Sequence, residues 1–502
     1  MTFVNFKQLS LTALLLGSAL PAAADVTAAD VWADWKDYLS SFGYSVSGTE
    51  NQSGSTLTVR DLTMGMTLPE AGDFNITMSE ITFTEKGDGT VAVTLPQTMP
   101  MALSMKTEAG DPMSMTVDYT HSGLSMIVSG SPADMTYTYT ADTLGLALTK
   151  LESAGQPVPY RDAHVAFSGL AGQARLINEN GTRHSAQTFD AAKTDWNVDF
   201  GDPKTQKPGT AKGMFEGATF TATAAIPEGL NWQDPSATMP SGFAFDTTIS
   251  YQAGSNAMAF TDEQERPVKF ATSSQGGDLK MRVESKALAY SGSAKNATID
   301  LAGGDIPLPI SLTMEHSGFN LMVPIAKSEE PGDFALGFDL TNFAVPELLW
   351  AMLDPTGQLP HDPATLALDV TGKAKITGDF ANPEAMASEG APGELHALSV
   401  NALKLRLAGA DLSGTGAFTF DNEDLESFDG MPRPEGALDL RLAGANTLLD
   451  KLVAMGLVPE DQAMGARMMM GLFGKMEGED TLTSKIEITP EGAILANGQR
   501  LR

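Results

Sequence analysis

Apolar residues fall at every second position through much of this chain, and that rhythm restricts the fold more than any other feature. Leu62, Met64, Met66 and Leu68 alternate with Thr and Gly, and Phe74, Ile76 and Met78 repeat the pattern. Ile81 and Phe83 resume it after a one-residue change of phase, which predicts a β-bulge. Lys86-Gly87-Asp88-Gly89 reads as a turn, with Val91, Val93 and Leu95 as the returning strand. The same alternation marks Met115–Tyr119, Leu124–Val128, Phe243–Tyr251, Leu279–Val283, Ile310–Met314, Phe319–Ile325 and Phe334–Leu340. It continues at Leu366–Val370, Leu403–Leu407, Leu438–Leu442 and Lys485–Ile488. Roughly twenty short strands follow, each apolar on one side and rich in Thr, Ser and Asp on the other, which suits an antiparallel meander. The expected fold is mainly β: a long antiparallel meander forming an open trough, a sandwich or a curled sheet. Helical stretches are too few for a parallel α/β sheet.

Helices are predicted where the period changes to 3.6. Thr27 caps the first, with Asp30 three residues on. Val31, Trp35, Leu39 and Phe42 repeat at helical spacing, Trp32 and Tyr38 widen that face, and Gly43 stops it. This amphipathic helix is expected to plug one end of a β core. Pro346 opens a short helix over Glu347–Leu353. Thr447–Met455 and Glu460–Met476 read as a C-terminal helix pair, with Gly456–Pro459 as its turn.

The N-terminus is an address. Met1–Lys7 carries one positive charge, Leu9–Leu20 is apolar, and Pro21 precedes Ala22-Ala23-Ala24. This is the plan of a secretory signal peptide, with cleavage expected after Ala24. The apolar run is too short to span a bilayer. No later stretch predicts a transmembrane anchor, so a periplasmic product is expected. Segment 1–24 contains Lys7 and no acid, so cleavage takes the net charge from −31 to −32. Such a balance argues against nucleic acid as a partner. Gly201–Gly213, Pro227–Gly242 and Asp379–Gly393 look like linkers. They divide the mature chain into a helix plus first β unit (25–230), a second β unit (231–390) and a C-terminal unit of strands and helix pair (391–502). His121-Ser122-Gly123 recurs as His316-Ser317-Gly318, and Leu405-Arg406-Leu407-Ala408-Gly409-Ala410 as Leu440-Arg441-Leu442-Ala443-Gly444-Ala445. These repeats are compatible with a duplication and with chance alike.

Catalytic signatures are few. There is no Cys, which removes thiol catalysis, Cys-ligated zinc and disulfides. The six His (121, 164, 184, 316, 361, 396) show no metal-ligand spacing, and no nucleophile elbow, P-loop or dinucleotide fingerprint occurs. Asp421, Glu423, Asp424, Glu426 and Asp429 fail the EF-hand spacing and read as a solvated loop. No cofactor is implied, and a non-enzymatic role is expected. An enzyme assembled from distant loops, with His121 or His316 as base, stays as a rival.

Methionine is the unusual residue, at 26 copies. Met64, Met66, Met115, Met126 and Met314 sit on alternating strands, and Met464, Met468, Met469 and Phe473 on the last helix. Thioethers suit Cu(I), so a copper buffer is one reading. They also make adaptable apolar linings. The preferred expectation is that these nine residues line a site for a lipid or another apolar molecule, or that the protein supports the envelope. A structural protein attracting a basic partner is the remaining alternative.

Two resemblances add to this. Val31-Trp32-Ala33-Asp34-Trp35-Lys36-Asp37-Tyr38 with Phe42-Gly43-Tyr44, and Ile486-Glu487-Ile488-Thr489-Pro490-Glu491-Gly492 running to Asn497-Gly498-Gln499, resemble the two ends of a family of exported alphaproteobacterial proteins. That family is domain of unknown function twenty-one twenty-five, so it implies no catalytic residue. The last hundred residues also look like the strand and helix-pair ends of AsmA-like envelope proteins, which implies lipid traffic.

Overall fold

The computed structural model describes residues 25–68, 72–106, 112–201, 207, 209–230, 239–378 and 393–502. The proposed signal peptide lies outside them, as do most of the linker-like segment 379–393 and half of 227–242. The third is partly strand, because Gly209–Pro227 pairs from its first residue.

The expected meander is there, with 27 antiparallel strands in one sheet among the described residues. Each strand pairs with its neighbour in sequence, or with the next one across a split strand. The strands are longer than the alternation predicts: Asp134–Ser153 runs for 20 residues and Ile306–Pro324 for 19. An open sheet differs from a membrane-spanning barrel, which closes on itself. Among the described residues, Ser45–Ser53 pairs only with Thr56–Leu68, and Gln499–Arg500 only with Ile494–Ala496. Hydrogen bonding continues past residues 230 and 390 without a break in the sheet.

A crease crosses the strands. Asp61, Gly169, Gly217, Asn296 and Asn342 all have φ between 45° and 61°. Gly169 and Gly217 lie on one transverse line through Ala192, as the registers on either side require. A left-handed residue resets the alternation, so residues three apart share a face. Phe167 and Leu170 pack in one cluster, and Val59 and Leu62 in another. This corrects the bulge expected before Ile81. Thr56–Leu68 and Gly72–Glu85 keep one register throughout, and the phase changes at the crease through Asp61 instead. A similar line splits two further strands. Ala244–Tyr251 and Ala253–Thr261 meet at Gln252, and pair separately with Gly277–Glu284 and Pro267–Ser274.

Four helices among the described residues complete the fold. The N-terminal helix Ala28–Ser41 carries the predicted capping box of Thr27 and Asp30. Its Val31 and Trp32 are buried against Leu57, Val59, Ile81, Phe83 and Val93 of the sheet. Glu347–Leu353 is helical as expected. The C-terminal pair is Ala445–Ala454 and Glu460–Phe473. The second ends three residues earlier than predicted, because Lys475–Met476 pairs with Leu482 and Thr483 as a strand.

Candidate functional site

Directly paired residues of neighbouring strands project from the same face of a sheet. The registers therefore trace an apolar line across the molecule. It begins Leu57, Phe83, Val93, Met126, Tyr139, Gly172, Phe189, Phe220 and Ile249. It continues Leu279, Gly292, Phe319, Phe338, Leu368, Leu403, Gly414 and Leu440. At about 4.8 Å per strand, the line is roughly 75 Å long. The next line on the opposite face runs Gln173, Thr188, Thr221, Thr248, Lys280, Ser291 and Asn320. Across these strands one face is apolar and the other polar.

Glycine enters the apolar line where a ring needs room. A Cβ on Gly172 would stand 2.5 Å from the Tyr139 ring, and one on Gly292 2.9 Å from that of Phe319. The rings lie across the glycines, which keeps the floor continuous.

The two ends of the line are covered and the middle is open. There Phe167, Phe189, Phe215, Phe220, Ile249, Leu279, Phe319 and Phe338 line a groove of about 750 Å³. Ile249 is 45% exposed and Phe319 41%. Leu321, Leu336 and Tyr290, on the adjacent line, are exposed as well. A contiguous exposed apolar strip of this kind is the form that interaction surfaces and ligand grooves take.

The N-terminal helix covers one end through Trp32, Trp35 and a buried ion pair. Arg183, from a distant strand, donates to Asp34 at 2.6 Å, and the Tyr137 hydroxyl donates to the other carboxylate oxygen at 2.9 Å. Both charged side chains are buried, and the Arg183 guanidinium lies over the Tyr38 ring. Outside, Trp32 and Lys36 both bond Glu50 and hold its carboxyl below the usual range, the Trp32 hydrogen bond being the larger cause.

Burial raises the phenol pKa of Tyr137, and the Asp34 charge raises it further. Burial alone raises Tyr119, and burial followed by Asp190 raises Tyr139. The unfolded chain releases these protons near pH 10 while the folded protein keeps them. Their contribution is complete below that pH and is lost as pH rises above it. The urea midpoint is therefore expected to fall between pH 9 and pH 11, and a flat midpoint over that range would show the phenols to be solvated.

The C-terminal helix pair covers the other end. Met470 and Phe473 face Leu412, Leu440, Leu442, Leu482 and Ile486 across a cavity of about 380 Å³. The nine predicted lining residues are thus divided. Met64 and Met126 line a cavity under the N-terminal helix. Met66 pairs with Phe74, Met115 with Leu103 and Leu151, and Met314 is buried opposite Ala297. Phe473 lines the C-terminal cavity. Met464, Met468 and Met469 do not, and Met468 is 71% exposed. The helix turns Ala463, Met470 and Phe473 inward, so the stripe at successive i+4 steps faces water.

The histidines form no shared centre. His316 pairs with Asp339 at 2.5 Å, while His121 meets the Leu95 carbonyl at 3.2 Å. Arg433 ties Asp421 and Asp424 together. Among the described residues no group of three His, Asp or Glu could hold a metal ion, and no helix is long and apolar enough to cross a membrane. The Phe, Ile and Leu of the open groove were missed by sequence reasoning. Their signal was aromatic residues on alternating positions of consecutive strands.

A family model described as an uncharacterized protein conserved in bacteria (DUF2125) matches residues 197–490, which include most of the open groove. The AsmA-like resemblance is not shown by these comparisons. A search of curated proteins found no match. With more than half its length matched, the chain belongs to the DUF2125 family of conserved bacterial proteins.

Proposed function

We propose that the protein is exported to the periplasm and holds long apolar chains, lipid acyl chains first among them, in its open groove without catalysing a reaction. One observation carries this reading: the apolar line is continuous across the sheet, and its middle stretch is left uncovered. A stability role alone gives no reason to expose Ile249, Leu279, Phe319 and Phe338 together. The low share of polar groups in the groove fits a hydrocarbon rather than a sugar or nucleotide.

The test is native mass spectrometry of the mature protein from its own periplasm, with lipid extraction of the same sample. Co-purified lipid is expected at about one molecule per chain or more. The Ile249→Lys/Phe338→Lys double variant alters exposed positions, so it is expected to fold and to lose at least tenfold of that lipid. Equal retention by wild type and variant would reject the groove as the binding surface.

A further inference from the structure

We propose that the cavity beneath the N-terminal helix receives the methyl end of an acyl chain whose remaining length lies in the open groove. The inference rests on the lipid reading above and adds a direction to it. The helix does not seal against the sheet. A space of about 390 Å³ remains, walled by Trp35, Leu39, Met64, Met78, Met126 and Leu176. Both oxygens of Asp34, which also borders it, are engaged by Arg183 and Tyr137. Gln187 also borders it, on the strand that carries Phe189 and so on the side nearer the groove. The deep wall is therefore hydrocarbon and thioether, a lining for the uncharged end of a ligand.

The floor links this cavity to the groove. Tyr139 lines the first and Phe189 the second, with ring centroids 6.2 Å apart. Gly172 lies between them in the paired line, and the Tyr139 ring lies over it, so the floor between cavity and groove is a continuous aromatic surface. From the strand of Met78 to that of Phe189 is about five strand spacings, or roughly 24 Å. A long acyl chain covers that distance. Three methionines at the closed end suit chain ends of varying length, because unbranched thioethers repack cheaply.

The experiment uses the full mature chain and two photoreactive palmitic acids, one with a diazirine at the methyl end and one with it beside the carboxyl. The methyl-end probe is expected to label peptides carrying Met64, Met78 or Met126 at least tenfold more than those carrying Phe319. The carboxyl-end probe is expected on peptides carrying Phe189 or Phe220. Methyl-end label on the groove peptides instead overturns the chamber and leaves the groove standing. No labelling by either probe overturns the lipid reading itself. In Met78→Trp the indole fills the cavity, and methyl-end label on Met64 and Met126 is expected to fall tenfold while carboxyl-end label persists. Unchanged label there also overturns the chamber. Met126→Phe serves the same purpose if Met78→Trp does not fold.

Discussion

Asp34→Ala is expected to destabilise the protein by about 3–5 kcal/mol, the range for removing one partner of a buried ion pair. The substitution leaves the Arg183 charge beneath the helix, beside Tyr38, with no carboxylate to answer it. It also takes from the buried Tyr137 hydroxyl its carboxylate acceptor, leaving it the weaker Met135 thioether at 3.7 Å. Arg183→Met orphans the Asp34 carboxylate in turn, but that carboxylate keeps the Tyr137 hydroxyl as a donor and can take up a proton, so this variant is expected to cost less. The double variant Asp34→Ala/Arg183→Met is expected to be more stable than Asp34→Ala alone, since an apolar replacement of both partners is close to neutral. Urea unfolding of the three variants checks this order. If Asp34→Ala alone costs under about 1 kcal/mol, the pair is hydrated and does not latch the helix.

This latch was invisible in the sequence. Asp34 and Arg183 are 149 residues apart, and nothing local to either marks it as half of a pair. The capping box at Thr27 and Asp30 was legible, because both partners lie within one turn. The strands were legible in proportion to their contrast. Leu62–Leu68 stands out because large apolar residues alternate with Thr and Gly. Thr182–Asp199 does not, because its groove-side residues near the centre are Gln187, Phe189 and Ala191, and only one of them is large. The strands Asp162–Glu179 and Gly209–Pro227 share that weak contrast, and none of the three is among the strands that the alternation names.

The methionines misled for a related reason. Alternation locates a face, but not how much of that face is covered. Met126 and Phe319 occupy the same line, yet Met126 packs against the helix-covered core and Phe319 is open. Coverage is decided by helices docked from elsewhere in the chain. On the C-terminal helix the opposite error arose. The i+4 stripe of Met464 and Met468 looked inward-facing, but the small Ala463 is the buried residue of that helix, and the bulky stripe is turned out. A one-dimensional pattern cannot rank two helix faces when both are apolar.

Phe83 and Phe319 separate the covered part of the line from the open part. Phe83 is 0% exposed and packs its ring against Trp32 and Trp35, at centroid distances of 6.0 and 5.4 Å. Phe83→Ala is expected to cost about 3–5 kcal/mol, because the surrounding core does not collapse into the space. It is also expected to loosen the helix and raise binding of a hydrophobic dye. Phe319 meets its neighbours only across the sheet, at Gly292 and Phe338, with Tyr290 near its ring. Phe319→Ala is expected to cost about 1 kcal/mol or less, the scale of a cross-strand pair. Its effect belongs on ligand retention, which is expected to fall severalfold. Chemical unfolding and lipid extraction on the same two variants read both quantities. If Phe319→Ala destabilises as strongly as Phe83→Ala, the middle of the sheet is covered in solution and the groove is a core. If it leaves stability and retention both untouched, the exposed aromatics bind nothing. A small loss of stability with a large loss of lipid is the outcome that an open groove requires.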